Sequence, residues 1–167
     1  MVARLHGMQK VVGSIPIRST TMNFKHGQDF TGVSVVFFCH DDQGRFVFGK
    51  RGAKSRDETG VWDCGGGRLE FGDDVVERLK IEIKEKYCAD ALDHGFLGYR
   101  DVHRIYDGQP THWVALDFKV LVDPKQVKNG EPDKIDAIAW FTKDNVPSPV
   151  HSEIPRFLEN YKAKLFS

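Results

Sequence analysis

Residues 65–89 read GGGRLEFGDDVVERLKIEIKEKYCA, and this stretch decides the fold. Three glycines come first, and Asp73 then opens a predicted helix as a favourable N-cap residue. At about 100° per residue, apolar side chains share one stripe of this helix: Val76, Leu79, Ile83 and Tyr87. Glu82 and Glu85 lie beside the stripe, about 60° apart, so their carboxylates converge near the glycines. Convergent carboxylates beside glycine-rich backbone suit a hard cation such as Mg²⁺.

The segments on either side of this helix carry the patterns of strands. Apolar residues that are β-branched, aromatic or alternating predict strands at residues 31–40, 45–51, 97–105, 113–122 and 135–142. The segment from Glu153 to Leu165 is predicted to be a terminal helix with one apolar side. The order of strands, helix, strands and helix favours an α+β fold or a mixed αβα layer arrangement.

The first 28 residues differ in composition from the rest of the chain. They contain several glycines, Pro16 and a Ser-Thr-Thr cluster, with few apolar residues in a core-like pattern. Pro16 would restrict the short apolar piece around it to an edge strand or an extended arm. We therefore predict that residues 1–28 are an N-terminal extension dispensable for folding, and that residues 29–167 form a single domain.

The overall charge and the cysteines narrow the class of protein. Lysine plus arginine equals aspartate plus glutamate, 24 each, so the formal net charge is zero. Binding of long nucleic acid usually needs a basic surplus or stripe, so a small ligand or a protein partner fits better. The three cysteines form no CxxC pair, which favours reduced thiols and a cytoplasmic location. The longest apolar run, residues 33–39, is too short to span a bilayer.

The stretch that begins at Gly67 resembles the Nudix box, the signature of the Nudix hydrolase family. The family motif is Gly, five residues, Glu, seven residues, then Arg-Glu-apolar-any-Glu-Glu-any-Gly-apolar. Here Asp73 and residues 81–89, IEIKEKYCA, follow Gly67 in that register. Residues 62–72 and 130–141 are similar to the nucleotide-sanitising branch of the family. The resemblance implies a Nudix fold, which is an αβα sandwich with a mixed central sheet.

The box is degenerate, because four of its positions depart from the family pattern. The departures are Asp73 for the first Glu, Ile81 for the Arg, Lys86 for a Glu and Cys88 for the Gly. Glu82 and Glu85 are retained. Lys86 places an ammonium where the family has a metal ligand, so we expect weakened binding of divalent cations. A plainer interpretation is that Glu82 and Lys86 form an ordinary ion pair on the helix surface.

The resemblance implies a role for each of several residues. Glu82, Glu85 and the Gly67 carbonyl would hold Mg²⁺ or Mn²⁺ weakly, and Glu85 or a loop carboxylate would act as catalytic base. The candidate loop carboxylates are Asp101, Asp107, Glu131 and Asp133. The candidate substrate-binding residues are Arg51 and Arg68 for phosphate, Trp62 for a base, and Lys86 for phosphate. Each of these arginines is equally consistent with a solvated side chain, and Trp62 with the core.

The histidines indicate a functional site less clearly than the box carboxylates do. The chain has seven histidines without ligand spacing, which argues against a zinc site. His103, His112 and Trp113 lie on or near two predicted strands and are candidates for the lining of a pocket.

Three functions remain open from the sequence. The first is a metal-assisted Nudix-type hydrolase that cleaves the pyrophosphate of a nucleoside diphosphate derivative, such as a nucleotide or nucleotide-sugar. The second is a catalytically weakened module that binds a nucleotide ligand without efficient turnover. The third is a protein-interaction domain with a collapsed pocket. The resemblance also allows a homodimer, since some family members form one.

Overall fold

The computed structural model describes residues 24–166, so most of the predicted extension, residues 1–23, lies outside the described residues. Seven strands and two helices follow one another in the described chain: β1 (Gly32–His40), β2 (Arg45–Arg51), β3 (Trp62–Asp63), β4 (Gly66–Arg68), α1 (Val75–Tyr87), β5 (Ala91–Tyr106), β6 (Gln109–Val122), β7 (Ile135–Thr142) and α2 (Ile154–Leu165). Neither helix is long and apolar enough to cross a membrane.

The strands form one mixed sheet. Its order is β3-β2-β1-β6-β5, with β4 also paired to β1 and β7 to β2. The pair of β1 and β6 is parallel, whereas the remaining pairs are antiparallel. The predicted α+β fold with a mixed central sheet is confirmed.

Each face of the sheet is covered by one helix. Alternation along β1 sends Val35, Phe37 and Cys39 to a core shared with α1, and Phe38 to a second core shared with α2. Because both faces of the sheet are covered, the sequence of β1 is nearly continuously apolar. The layers are therefore helix, sheet and helix, which confirms the expected αβα sandwich.

The start of α1 differs from the prediction by one residue. Asp74, not Asp73, is the N-cap, and its side chain accepts hydrogen bonds from the backbone N–H groups of Val76 and Glu77. Asp73 instead accepts from the backbone N–H of Glu70, so its carboxylate closes the preceding turn. Three residues of the predicted apolar stripe, Leu79, Ile83 and Tyr87, are buried in the core. At the start of the helix Val75 packs against this core, whereas the predicted Val76 is only half-buried.

The hairpin of β5 and β6 is longer than the sequence predicts. Its first strand begins at Ala91 rather than at residue 97, and its second at Gln109 rather than at residue 113. The pairing register shifts between Ala91 and Asp93 and again between Phe96 and Gly98. These irregularities break the two-residue alternation on which strand prediction depends.

The described end of the predicted extension contacts β6. The backbone carbonyl of Gly27 accepts a hydrogen bond from the N–H of His112 at 2.8 Å. Gly27 has φ +78°, and a Cβ there would overlap the Trp113 ring. Residues 24–28 thus pack on the domain, while the boundary at residue 28 and the dispensability of the extension stay predictions.

Candidate functional site

Two adjoining cavities open between the glycine turn and the sheet. Their volumes are about 340 Å³ and about 190 Å³. Both are lined by Arg51, Arg56, Asp63, Gly65, Gly66 and Lys86. The smaller cavity reaches Glu82 and Glu131, whereas the larger reaches the β5–β6 hairpin. The degenerate box therefore stands at one end of a continuous cleft.

Glu82 lies directly against the glycine turn. A Cβ at Gly67 would overlap the Glu82 carboxylate, so only glycine leaves room for this side chain. Partial burial, and then the negative charge of Glu85, raise the pKa of Glu82. Glu82 therefore lies beside the glycines and is an electrostatic neighbour of Glu85. Metal binding by the Gly67 carbonyl stays a prediction.

Glu85 interacts with the cations of this cluster only through their charge, which the groups of Arg78 and Lys134 exert on it. Its side chain is exposed and makes no hydrogen bond or ion pair with any residue between 24 and 166. A Cβ at Gly130 would overlap the backbone carbonyl of Glu85, so the loop after β6 passes closely over the end of α1. Glu85 is thus free to bind a cation or to accept a proton.

Lys86 is paired with a loop carboxylate rather than with Glu82. Its Nζ lies 3.1 Å from Glu131, and the two side chains are 17% and 20% exposed. Lys134 also donates to Glu131. Burial acts to raise the pKa of Glu131, but these two ammonium groups outweigh it and hold the pKa below its usual value. Among the four candidate loop carboxylates, the structure brings Glu131 to the box.

Arg78 supplies a guanidinium that sequence reasoning did not single out. Its Nε donates to Asp73 at 2.8 Å, and its Nη1 lies 3.6 Å from Glu82. The family arginine position is Ile81, which is exposed. A cation one helical turn earlier therefore lies beside the retained carboxylate of Glu82. The spacing of four residues between Arg78 and Glu82 was a signal that could have identified it.

The two predicted phosphate arginines differ in their surroundings. Arg51 is held by all three of its nitrogens, since it donates to the backbone carbonyl and carboxylate of Asp57 and to the carboxylate of Asp63. Arg68 is exposed, pairs with Glu70 and lines the larger cavity. Arg51 is thus fixed in place, whereas the Arg68 side chain is exposed at the cavity.

The aromatic lining of the cleft differs from the sequence interpretation. Trp62 packs against Phe141, with ring centroids 5.1 Å apart, and is not among the residues that line the described cavities. Tyr106 and Trp113 line the larger cavity instead. The Arg56 guanidinium lies 5.3 Å and 5.4 Å from their ring centroids and is 55% exposed. Sequence reasoning missed Arg56 and Tyr106, which meet only through the tertiary fold.

Two further arginines in the wall of the larger cavity are already neutralised. Arg100 donates to both carboxylate oxygens of Asp117, at 2.8 Å and 3.0 Å. Arg104 pairs with Glu58 and lies 3.2 Å from Asp57. These pairs hold the wall in place, and Arg56 and Arg68 are the more exposed arginines beside it, 55% and 49% exposed.

Comparisons with known proteins agree with this geometry. The structure is similar to a MutT Nudix hydrolase from Burkholderia pseudomallei, at 25% identity and a TM-score of 0.69, covering 78% of this chain and 98% of that one. A MutT protein from Methanosarcina mazei Go1 has a TM-score of 0.68 at 18% identity, covering 80% and 94% of the two chains. This second likeness supports the fold alone.

A relative is also found in sequence. An RNA pyrophosphohydrolase from Gluconacetobacter diazotrophicus is 26% identical in an alignment 123 residues long, which covers 63% of this chain and 73% of the relative. No protein-family model matches the chain. This chain is a Nudix-fold protein, and it resembles the Nudix hydrolases in sequence as well as in structure.

Proposed function

We propose that this protein is a pyrophosphohydrolase that cleaves the pyrophosphate of a nucleoside diphosphate derivative. The observation that carries the proposal is Glu82, which lies beside Gly67 at the end of a cleft lined by cations and aromatic rings and is electrostatically coupled to Glu85. Carboxylates at one end suit a pyrophosphate-bound cation, and flat rings at the other suit a base. The likeness to Nudix hydrolases supports the same activity.

The residues at the box fit a divalent cation that is held weakly. Glu82 and Glu85 would supply oxygen ligands, and the pKa of Glu82 is raised by partial burial and then by the negative charge of Glu85, which a cation would offset. Arg78 and Lys86 already place positive charge beside them, which lowers the affinity. When bound, Mg²⁺ or Mn²⁺ would neutralise pyrophosphate charge and acidify the attacking water.

The protein's own residues would orient the substrate and move the proton. Glu85, exposed and unpaired, would accept the proton from the water that attacks phosphorus. Arg56 and Arg68 would bind phosphate oxygens, because their guanidinium groups line the larger cavity and are exposed. Arg51 would hold the loop that carries Arg56, since it ties Asp57 to Asp63.

The larger cavity would take the nucleoside end of the substrate. Its volume of about 340 Å³ is within the range of small-molecule sites. Tyr106 and Trp113 would stack on the base, and Arg56, which lies over both rings, lines the same cavity. The net charge of zero favours a small nucleotide over a long RNA chain.

A substrate panel tests the proposal. Nucleoside triphosphates, dinucleotides, nucleotide-sugars and a short 5′-triphosphorylated RNA are incubated with Mg²⁺ or Mn²⁺, and phosphate or pyrophosphate release is measured. We expect turnover of at least one small nucleotide, abolished in Glu82→Gln and retained in Glu77→Gln. Glu77 is an exposed residue of the same helix that pairs with Lys80, so it is a matched control.

Thermal shift on the same panel separates the hydrolase from the binding module. A nucleotide that stabilises the protein yet releases no product with either metal would contradict the hydrolase and support the binding module. If no nucleotide in the panel is bound or cleaved, the proposed ligand class is wrong.

A further inference from the structure

A second group of metal-ligating side chains lies outside the box, on the β5–β6 hairpin. Asp101 and His103 are two residues apart on β5, so they project from the same face of the strand. His112 on β6 is the direct cross-strand partner of His103. The neighbouring pair Val102 and Trp113 projects from the opposite face and lines the larger cavity. The three ligating residues therefore sit on the reverse side of the cavity wall.

The geometry of this Asp-His-His group is compact. The imidazole rings of His103 and His112 stack with centroids 4.1 Å apart and planes 19° apart. Asp101 Oδ1 lies 3.2 Å from His112 Nε2. One ligand atom from each residue lies within 4.8 Å of the other two. A tetrahedral metal with bonds of about 2.0–2.1 Å needs ligand atoms about 3.3 Å apart, so the ligand atoms must close by about 1.5 Å at most. The two stacked rings must also rotate about their side-chain bonds so that one nitrogen of each points at the same ion.

The orientation of His112 also suits a ligand. Its Nδ1 lies 3.2 Å from the hydroxyl oxygen of Thr31. Metal-bound histidines usually donate their second ring N–H to such an acceptor, which fixes the ring and leaves Nε2 for the metal. Nε2 is the nitrogen that faces Asp101. The side chains of His112 and Asp101 are 39% and 53% exposed, so an ion reaches them from solvent.

We propose that Asp101, His103 and His112 form a binding site for a transition-metal ion of the Zn²⁺ class, distinct from the box. Two imidazoles and one carboxylate suit Zn²⁺ with water in the fourth position, whereas Mg²⁺ prefers oxygen ligands alone. The sequence argued against zinc because these residues lack ligand spacing along the chain. Strand pairing supplies the proximity. The bound ion would clamp the end of the hairpin whose other face carries Trp113.

Calorimetric titration with Zn²⁺, in saturating Mg²⁺, tests the site on the full chain. We expect stoichiometric binding to the wild type, about tenfold weaker or more in His103→Gln, and also weakened in Asp101→Asn. His94→Gln is the matched control, because His94 is an exposed histidine on the same strand outside the group. Wild-type protein that binds no Zn²⁺, or His103→Gln and Asp101→Asn proteins that bind it as the wild type does, would overturn the proposal.

Two further measurements identify where the ion binds. Long-range ¹H–¹⁵N spectra should show the ring nitrogens of His103 and His112 shifting with Zn²⁺, while those of His94 do not. Glu82→Gln, which removes a box carboxylate, should leave Zn²⁺ affinity unchanged. If Glu82→Gln abolishes Zn²⁺ binding, the ion is in the box and the hairpin site is refuted, independently of whether the protein hydrolyses nucleotides.

Discussion

Reversing the charge of Lys86 is the perturbation with the largest expected effect on the box. Its ammonium is 3.1 Å from Glu131, only 17% exposed, and acts electrostatically on Glu82. Lys86→Glu would remove this positive charge and add a carboxylate at a position where the Nudix box has a glutamate. We expect Lys86→Glu to bind Mg²⁺ more tightly and to hydrolyse its substrate faster at limiting Mg²⁺.

The magnitude follows from Coulomb's law. At about 5 Å and an effective dielectric near 20, a unit charge repels a divalent ion by about 6–7 kcal/mol. The pairing of Lys86 with Glu131 and ionic screening reduce this repulsion. A quarter of it, about 1.6 kcal/mol, already corresponds to a change of more than tenfold in affinity. Lys86→Glu should therefore lower the Mg²⁺ concentration for half-maximal rate by about tenfold or more.

Without metal, the same substitution should destabilise the protein. Lys86→Glu places a further carboxylate near Glu82, Glu85 and Glu131, and it removes the ion pair that Glu131 forms with Lys86 in the wild type. Like charges in a half-buried cluster repel one another, so we expect a lower melting temperature that rises steeply with added Mg²⁺.

The assay is a Mg²⁺ titration of hydrolysis rate and of melting temperature for the wild type, Lys86→Glu and Lys84→Glu. Lys84 is exposed on the same helix and pairs with Asp90, so it carries the same charge change away from the cleft. An unchanged Mg²⁺ dependence in Lys86→Glu, or the same shift in Lys84→Glu, would refute the electrostatic reasoning. A lower rate together with weaker nucleotide binding would show that Lys86 itself binds phosphate.

Three further predictions follow from single contacts. Gly67→Ala should displace the flexible end of Glu82 and reduce hydrolysis to the level of Glu82→Gln, while the melting temperature changes little; full activity would contradict this. Cys88→Gly should raise the free energy of unfolding by about 1 kcal/mol in denaturant titration, because residue 88 has φ +56° at the C-cap of α1; a less stable variant would show that thiol packing dominates. Burial acts to raise the pKa of Asp41, but hydrogen bonds from the backbone of residue 43 and from Arg45 outweigh it, so the pKa is lowered. The stabilisation that the Asp41 carboxylate contributes is therefore present above the unfolded pKa of about 4 and is lost as pH falls through the folded value. Asp41→Asn should lower the free energy of unfolding by about 1–3 kcal/mol at pH 7, and unfolding curves measured at several pH values should show a weaker dependence on acid.

Local patterns in the sequence predicted most of the elements. The stripe of Leu79, Ile83 and Tyr87 is set by helical periodicity, which depends only on near neighbours in the chain. The spacing of Glu82 and Glu85 after Gly67 could be interpreted from the sequence for the same reason. The N-cap was misplaced by one residue because Asp73 and Asp74 are equally good caps, and only the turn back to Glu70 selects between them.

The side chains that contact the box residues could not be predicted from the sequence in the same way. Lys86 and Glu131 are 45 residues apart, and their ion pair exists because Gly130 lets the loop cross the end of α1. Arg56 meets Tyr106 and Trp113 only after the loop that follows β2 folds over the hairpin. Such contacts depend on how elements pack, and a periodic pattern within one element carries no information about it.

The sequence therefore determined the layer order, the helix that carries the box and the two retained carboxylates, because each depends on residues within a few positions of one another. Packing decided which cations neutralise those carboxylates and which rings line the cleft. It also brought His103 and His112 together, since two residues nine positions apart become neighbours only when the register of β5 against β6 places them opposite.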